Sequence, residues 1–161
     1  FLLGGTFNSR LNMNLRENKA WTYGVRSGFR GTRNKGPFTI SGGFKKETTD
    51  STIMEIVKEV KNYRENLISD DEMQFVKNSI LQSEALRYET LSQKAGALSV
   101  KLTYNLDPEY NVVQQAMLMS MTPVELRSVA QQLLELNQMS IIVVGDKKLL
   151  WDRIRRLGYP V

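Results

Sequence analysis

Arg16-Glu-Asn-Lys-Ala-Trp-Thr-Tyr23 joins two kinds of periodicity, and its reading sets the fold class. Upstream, Leu3, Phe7, Leu11 and Leu15 recur every four residues, with Leu2 and Met13 near that stripe, so residues 4–18 read as an amphipathic helix. Gly4-Gly5 is unusual at a helix start and reads either as a close backbone approach or as loop. Downstream the period falls to two. Trp21 to Arg30 reads as a strand with Tyr23, Val25, Ser27 and Phe29 on one side and Gly24, Arg26, Gly28 and Arg30 on the other. The turn candidate Gly31-Thr-Arg-Asn-Lys-Gly36 leads to a second strand, Pro37 to Lys46, on which Phe38, Ile40, Gly42 and Phe44 alternate with polar or small residues. The two strands make a hairpin with a basic tip.

From Thr49 the spacing is helical again. Ile53, Ile56, Val57, Val60, Tyr63 and Leu67 mark one helix. Ser69-Asp-Asp-Glu72 is a capping box opening a second, which runs on brokenly towards Val100. Asp107-Pro108 and Thr122-Pro-Val-Glu125 open two more, each with a cap and a proline at the first helical position. Ile141-Ile-Val-Val144 reads as a short buried strand ended by Gly145-Asp146, and Lys147 to Leu157 as a last helix stopped at Gly158. The expectation is a single α+β domain over residues 1–161: a two-layer sandwich, an antiparallel-rich sheet with helices on one face. Three strands make a thin sheet, so N-terminal strands are expected to be missing. The opening residue is Phe1 rather than Met, which points to a processed or truncated piece.

Composition narrows the chemistry. The chain has 161 residues and no cysteine, so it has neither disulfides nor thiolate chemistry, and its redox compartment is unreadable. It has no histidine, which excludes Ser-His-Asp and Cys-His relays and leaves any zinc site to carboxylates alone. No apolar run approaches the length of about 20 residues that a membrane span needs. The surplus of 22 basic over 17 acidic residues reads first as a solvated, mildly basic surface. Arg16 and Tyr23 stand seven residues apart, and both are donors suited to gripping an oxygen such as a peptide carbonyl. Taken singly, the arginine reads as a cation at a helix C-terminus and the tyrosine as a strand residue with a satisfied hydroxyl.

Leu3-Gly-Gly-Thr-Phe-Asn-Ser-Arg-Leu11 running on to Leu15-Arg-Glu17, then Ala20-Trp-Thr-Tyr-Gly-Val-Arg-Ser27, Ile68-Ser-Asp-Asp-Glu-Met73, Met121-Thr-Pro-Val-Glu125 and Ile141-Ile-Val-Val-Gly-Asp146 come in one order and spacing. Together they resemble the pitrilysin/insulinase family of zinc peptidases, whose metal motif is H-x-x-E-H. The resemblance covers almost the whole chain. It implies paired two-layer α+β units that enclose a chamber, one carrying zinc and another carrying an arginine–tyrosine pair that binds the substrate backbone. That pair falls on Arg16 and Tyr23. The chain departs from the zinc-bearing half completely, having no His and so no H-x-x-E-H. The resemblance thus implies a non-catalytic, substrate-holding unit, the larger C-terminal part of one pitrilysin-type unit. No metal or cofactor is expected in this chain, with zinc on a homologous partner unit of the same or a separate polypeptide, and a peptide as substrate.

Two other readings stand beside this one. A non-proteolytic assembly subunit of the same family also fits a His-free chain. Arg26, Arg30, Arg33, Lys35, Lys45 and Lys46, interleaved with Phe29, Phe38 and Phe44, resemble a sheet that binds single-stranded nucleic acid, but the aromatic pattern of the RNA-binding sheet modules is absent. The same basic hairpin suits acidic peptides. Arg10 reads as a structural hydrogen-bonder, and Gly4-Gly5 lacks the preceding strand and the Lys-Ser/Thr of a phosphate loop.

Overall fold

A computed structural model describes residues 1–31 and 33–160. Thr32, in the predicted hairpin tip, lies outside them. The chain divides into two compact units, one formed by Phe1–Asn66 with Arg127–Val161 and the other by Leu67–Leu126. The first is α+β and the second helical, and the described residues hold seven α-helices and one two-stranded antiparallel sheet.

In the first unit, helix α1 (Arg10–Asn12) passes directly into a π-helical turn, Met13–Asn18, and then into strand β1 (Thr22–Phe29). The four-residue spacing predicts a helix from residue 4, but the structure starts it at Arg10. Residues 2–5 form a turn in which Gly5 N–H donates to Phe1 O at 2.8 Å, and the Gly4 carbonyl is taken by the backbone N–H of Ser27 at 2.8 Å instead of by a following helical turn. A Cβ at Gly4 would stand 2.7 Å from Ser27 Oγ and 2.9 Å from Ser27 N, which makes the close approach the role of that glycine. Strand β2 (Phe38–Phe44) pairs with β1 from Phe29↔Phe38 to Val25↔Gly42, and the register then slips before Thr22↔Phe44.

Helix α2 (Thr49–Glu65) sends Val60 into the core cluster that holds Val25 of the hairpin, with Ile56 and Tyr63 packed against it. Leu3, Leu11, Leu15, Val25, Val60, Ala130 and Leu134 form the core, with Trp21, Phe38, Ile40 and Phe44 packed against it. Each of the larger aliphatic side chains stabilises the fold by about 1.5–3 kcal/mol when fully buried. Alternation therefore sends Val25, Phe38, Ile40 and Phe44 inward and leaves Arg26, Gly28, Thr39, Ser41 and Gly43 exposed on the opposite face. Helix α6 (Pro123–Leu133) supplies Ala130, and helix α7 (Lys147–Arg155) is held to α2 by Arg153, whose guanidinium donates to Asp50 Oδ1 at 2.5 Å.

The predicted strand at Ile141–Val144 is not formed: the segment makes no ladder among the described residues, and Ile142 and Val144 are exposed. Branched side chains favour extended backbone, but a strand exists only where a neighbour takes up its N–H and C=O groups.

The second unit is helical. Helix α3 (Asp70–Leu86) opens with the predicted capping box, in which Ser69 Oγ accepts Glu72 N–H and Glu72 accepts Ser69 N–H. The predicted run towards Val100 splits, because Thr90 and Gln93 form a second box that starts helix α4 (Leu91–Tyr104). Asn105, at φ 50°, ends α4. Helix α5 (Tyr110–Ser120) follows a turn in which Asp107 accepts Glu109 N–H, and Lys77 of α3 donates to the Met119 carbonyl at 2.8 Å. Thr122 and Glu125 complete the predicted box before α6.

Candidate functional site

Arg16 and Tyr23 flank the helix–strand junction of the first unit. Leu11 and Leu15 are fully buried and fix the helix. Asn14 donates to Glu55 at 2.9 Å and to Glu59 at 2.7 Å, tying the π-helical turn to α2. Lys19 donates to Asn14 Oδ1 and lies 3.4 Å from the Glu55 carboxylate. The Asn14 hydrogen bond, working against burial and joined by Lys19 and Lys58, holds the Glu55 carboxyl below its ordinary range.

The helix then stops sharply. Ala20 takes φ 52°, its N–H donates to Arg16 O at 3.0 Å, and Trp21 N–H donates to Leu15 O at 2.9 Å. This is a left-handed helix stop widened by one residue, as a π-helical turn requires. It brings the chain out of the helix and into β1 within a few residues of Arg16.

Strand β1 is held on its other edge by Asn12, an almost fully buried side chain. Asn12 Nδ2 donates to Val25 O at 2.9 Å and Thr6 O at 2.9 Å, and Val25 N–H donates to Asn12 Oδ1 at 2.9 Å. One amide thus takes the place of a neighbouring strand for both backbone groups of Val25. Nothing in the local periodicity marks this residue, and no sequence motif points to it.

Two residues before Val25 the ladder slips: Tyr23 and Gly24 stand together opposite Gly43. The Thr22 hydroxyl closes this β-bulge, lying 2.7 Å from Gly43 O and accepting Gly24 N–H at 3.0 Å. Strict alternation puts Tyr23 on the same side as the buried Val25; the bulge overturns that, and Tyr23 is 101% exposed. Its phenol projects from a strand whose backbone is fixed on both edges. Arg16 is more constrained. Its guanidinium stacks 3.8 Å from the centre of the Phe7 ring and pairs with Glu17, leaving the side chain 29% exposed. A guanidinium has five N–H donors, so the Glu17 pair leaves others for a second acceptor. Arg16 and Tyr23 make no hydrogen bond or ring contact with each other among the described residues.

Arg10 serves structure, its guanidinium carbon 5.6 Å from the centre of the Tyr63 ring. The residues do not suit a zinc ion: the sequence has no His or Cys, and among the described residues no three carboxylates converge. Nor is any described helix long and apolar enough to cross a membrane.

The first unit is thus a two-stranded hairpin entered through a short helix and a π-helical turn that carries Arg16. The sequence profile "Peptidase M16 inactive domain" matches residues 1–80. A crystal structure of a peptidase M16 inactive domain from Pseudomonas fluorescens superposes with TM-score 0.77 at 25% identity, covering 85% of this chain and 33% of that one. The chain thus resembles the peptidase M16 inactive domains in sequence over residues 1–80 and in fold. It is also 28% identical over 152 residues to the non-peptidase homolog YmxG of Helicobacter pylori. The fold alone is shared with a protease from H. pylori, at TM-score 0.75 and 21% identity over 83% of this chain and 32% of that one. The match to YmxG covers 92% of this chain but 34% of that protein, so the chain spans about a third of its relatives' length.

Proposed function

We infer that this chain is the substrate-holding, metal-free unit of a two-part peptidase, gripping peptide backbone for cleavage at a zinc-bearing partner unit. The observation that carries this reading is Tyr23, a fully exposed phenol set on a bulge that is itself locked by Thr22 and Asn12. An exposed tyrosine on a mobile loop would be surface decoration. One held rigid on both strand edges offers an O–H donor whose position is already fixed.

Arg16 is the second donor. Its permanent charge makes a hydrogen bond to a peptide carbonyl worth about 1.5–3 kcal/mol, and stacking on Phe7 restrains it before substrate arrives. Two donors on two carbonyl oxygens, or on one, fix the scissile segment in place. Any step at the metal belongs to the partner unit, because this chain lacks the ligands. A site divided in this way is complete only when the two units close on each other.

The test is cleavage of a fluorogenic peptide by this chain together with a zinc-bearing unit. Arg16→Ala and Tyr23→Phe should each slow cleavage by about tenfold or more, in line with the loss of one donor hydrogen bond, while the circular dichroism spectrum is unchanged. Unchanged rates in both variants remove the assigned role. A second reading, a non-proteolytic assembly subunit, is favoured by the likeness to a non-peptidase homolog. It predicts stable association with the partner and no effect of either variant.

A further inference from the structure

From Asn18 to Lys46 the sequence contains no Asp or Glu, while Lys19, Arg26, Arg30, Arg33, Lys35, Lys45 and Lys46 fall within it. This acid-free stretch is the hairpin with its flanks. Three of its cations bear on the sheet face turned away from the core. Arg26 lies opposite Ser41 on that face, Arg30 continues the alternation past the end of β1, and Lys45 continues it past the end of β2. Arg26, Arg30 and Lys45 are all exposed, and none of the three forms an ion pair among the described residues.

The rest of the face is low and neutral. Gly24, Gly28, Thr39, Ser41 and Gly43 are all exposed, and a Cβ added at Gly28 or Gly43 would meet nothing within 4 Å. Neither the fold nor the backbone conformation of these two glycines requires the missing side chain, since Gly158 is the glycine with positive φ among the described residues. The face is therefore a shallow, cation-edged floor that begins at Tyr23.

We propose that this floor docks an extended peptide segment carrying acidic side chains, the continuation of the strand that Tyr23 holds. The proposal rests on the substrate-holding reading for its occupant and adds the class of substrate. Charge complementarity argues for it: an acid-free surface with unpaired cations attracts carboxylates and repels basic peptides. Strand rise sets the spacing. Arg26 is three residues from Tyr23 and Arg30 is seven, so the guanidiniums root about 10 Å and about 23 Å along the strand from the phenol. A peptide lying over this face along β1 at the same rise meets them with acidic residues about three and about seven positions from the held carbonyl.

The experiment titrates the full 161-residue chain with three fluorescein-labelled probes, followed by anisotropy. Two are peptides of equal length with Glu or Lys at those two positions, and the third is a single-stranded oligothymidine. The Glu peptide should bind about tenfold tighter than the Lys peptide at low salt, since each exposed ion pair contributes a factor of a few. The preference should collapse in half-molar salt. Arg26→Gln with Arg30→Gln should abolish it, and neither side chain belongs to the core, so the fold should survive. No binding of either peptide, no preference, or a preference that survives the double variant overturns the proposal. Tighter binding of the oligothymidine than of the Glu peptide also overturns it, in favour of nucleic acid. Failure of the underlying reading is separately visible: Arg16→Ala and Tyr23→Phe should weaken both peptides alike, and a Glu preference that persists while neither variant has any effect removes the holding pair and leaves the acidic-segment floor standing.

Discussion

Replacing Asn12 by alanine should destabilise the first unit more than any exposed substitution near the proposed site. The side chain is 6% exposed and its amide serves both backbone groups of Val25, a residue that is 1% exposed. Alanine leaves Val25 N–H and C=O buried without partners and also releases Thr6 O. A buried group left unsatisfied costs about 1–3 kcal/mol, so two of them give about 3 kcal/mol, a large share of the 5–15 kcal/mol typical of whole domains. Trp21 and Trp151 both lie in the first unit, so tryptophan fluorescence during urea unfolding reads that unit directly. Amide exchange at Val25 should accelerate in the same variant.

Asn12→Asp sharpens the test. Its second oxygen would face the Val25 and Thr6 carbonyls, which favour a protonated carboxyl that can donate to one of them. The folded-state pKa of the new Asp is thereby raised above its unfolded value near about 3.9. A raised pKa contributes stability that is present below the unfolded value and lost as pH rises through the folded one. Asn12→Asp should thus fall further below the parent protein as pH increases. A loss under about 1 kcal/mol in Asn12→Ala, with unchanged exchange at Val25, would refute the reasoning that this amide replaces a strand.

Other outcomes rest on single contacts. Asp50 is drawn upward by burial, but its hydrogen bond and charge pairing with Arg153, together with the backbone amides of Ser51 and Asp50, hold its carboxyl below the ordinary range. A lowered pKa contributes stability present above the unfolded value and lost as pH falls through the folded one. Asp50→Asn should flatten part of the acid-side decline in urea-unfolding stability, and should cost under about 1 kcal/mol at neutral pH for so solvent-accessible a pair. Gly4→Ala places a Cβ 2.9 Å from the Ser27 backbone nitrogen and should cost about 1–3 kcal/mol in thermal unfolding, whereas Gly28→Ala, with open space around it, should be close to neutral.

Much of the fold is legible in the sequence because its signals are local. Ser69 with Glu72 and Thr122 with Glu125 each satisfy one another within a single turn, and the strand alternation of Phe38, Ile40 and Phe44 reports one buried face. The features that escape a sequence reading depend on partners distant in the chain. The four-residue stripe from Leu3 gives no hint that Gly4 bonds Ser27, so it places the helix start too early. Ile141–Val144 has strand composition, but composition does not supply a ladder. The split at Thr90 is hidden although its cap with Gln93 is local, because the apolar pattern on either side runs across it.

The sequence singles out the candidate residues but not their geometry. Arg16 and Tyr23 stand out by type, spacing and resemblance. The bulge that turns Tyr23 outward depends on Gly43 and Phe44 across the hairpin, and the stacking of Arg16 depends on Phe7 in a segment whose spacing predicts helix. Neither can be obtained from alternation alone.

The central claim is that Arg16 and Tyr23 contact peptide. Adding an unlabelled peptide to the isotopically labelled chain and following the Arg16 Nε–Hε and Tyr23 ring resonances tests it without need of any partner. Saturable shifts at both, larger than those on helices α3 to α5, are expected. Saturable binding that leaves both resonances in place would contradict the account.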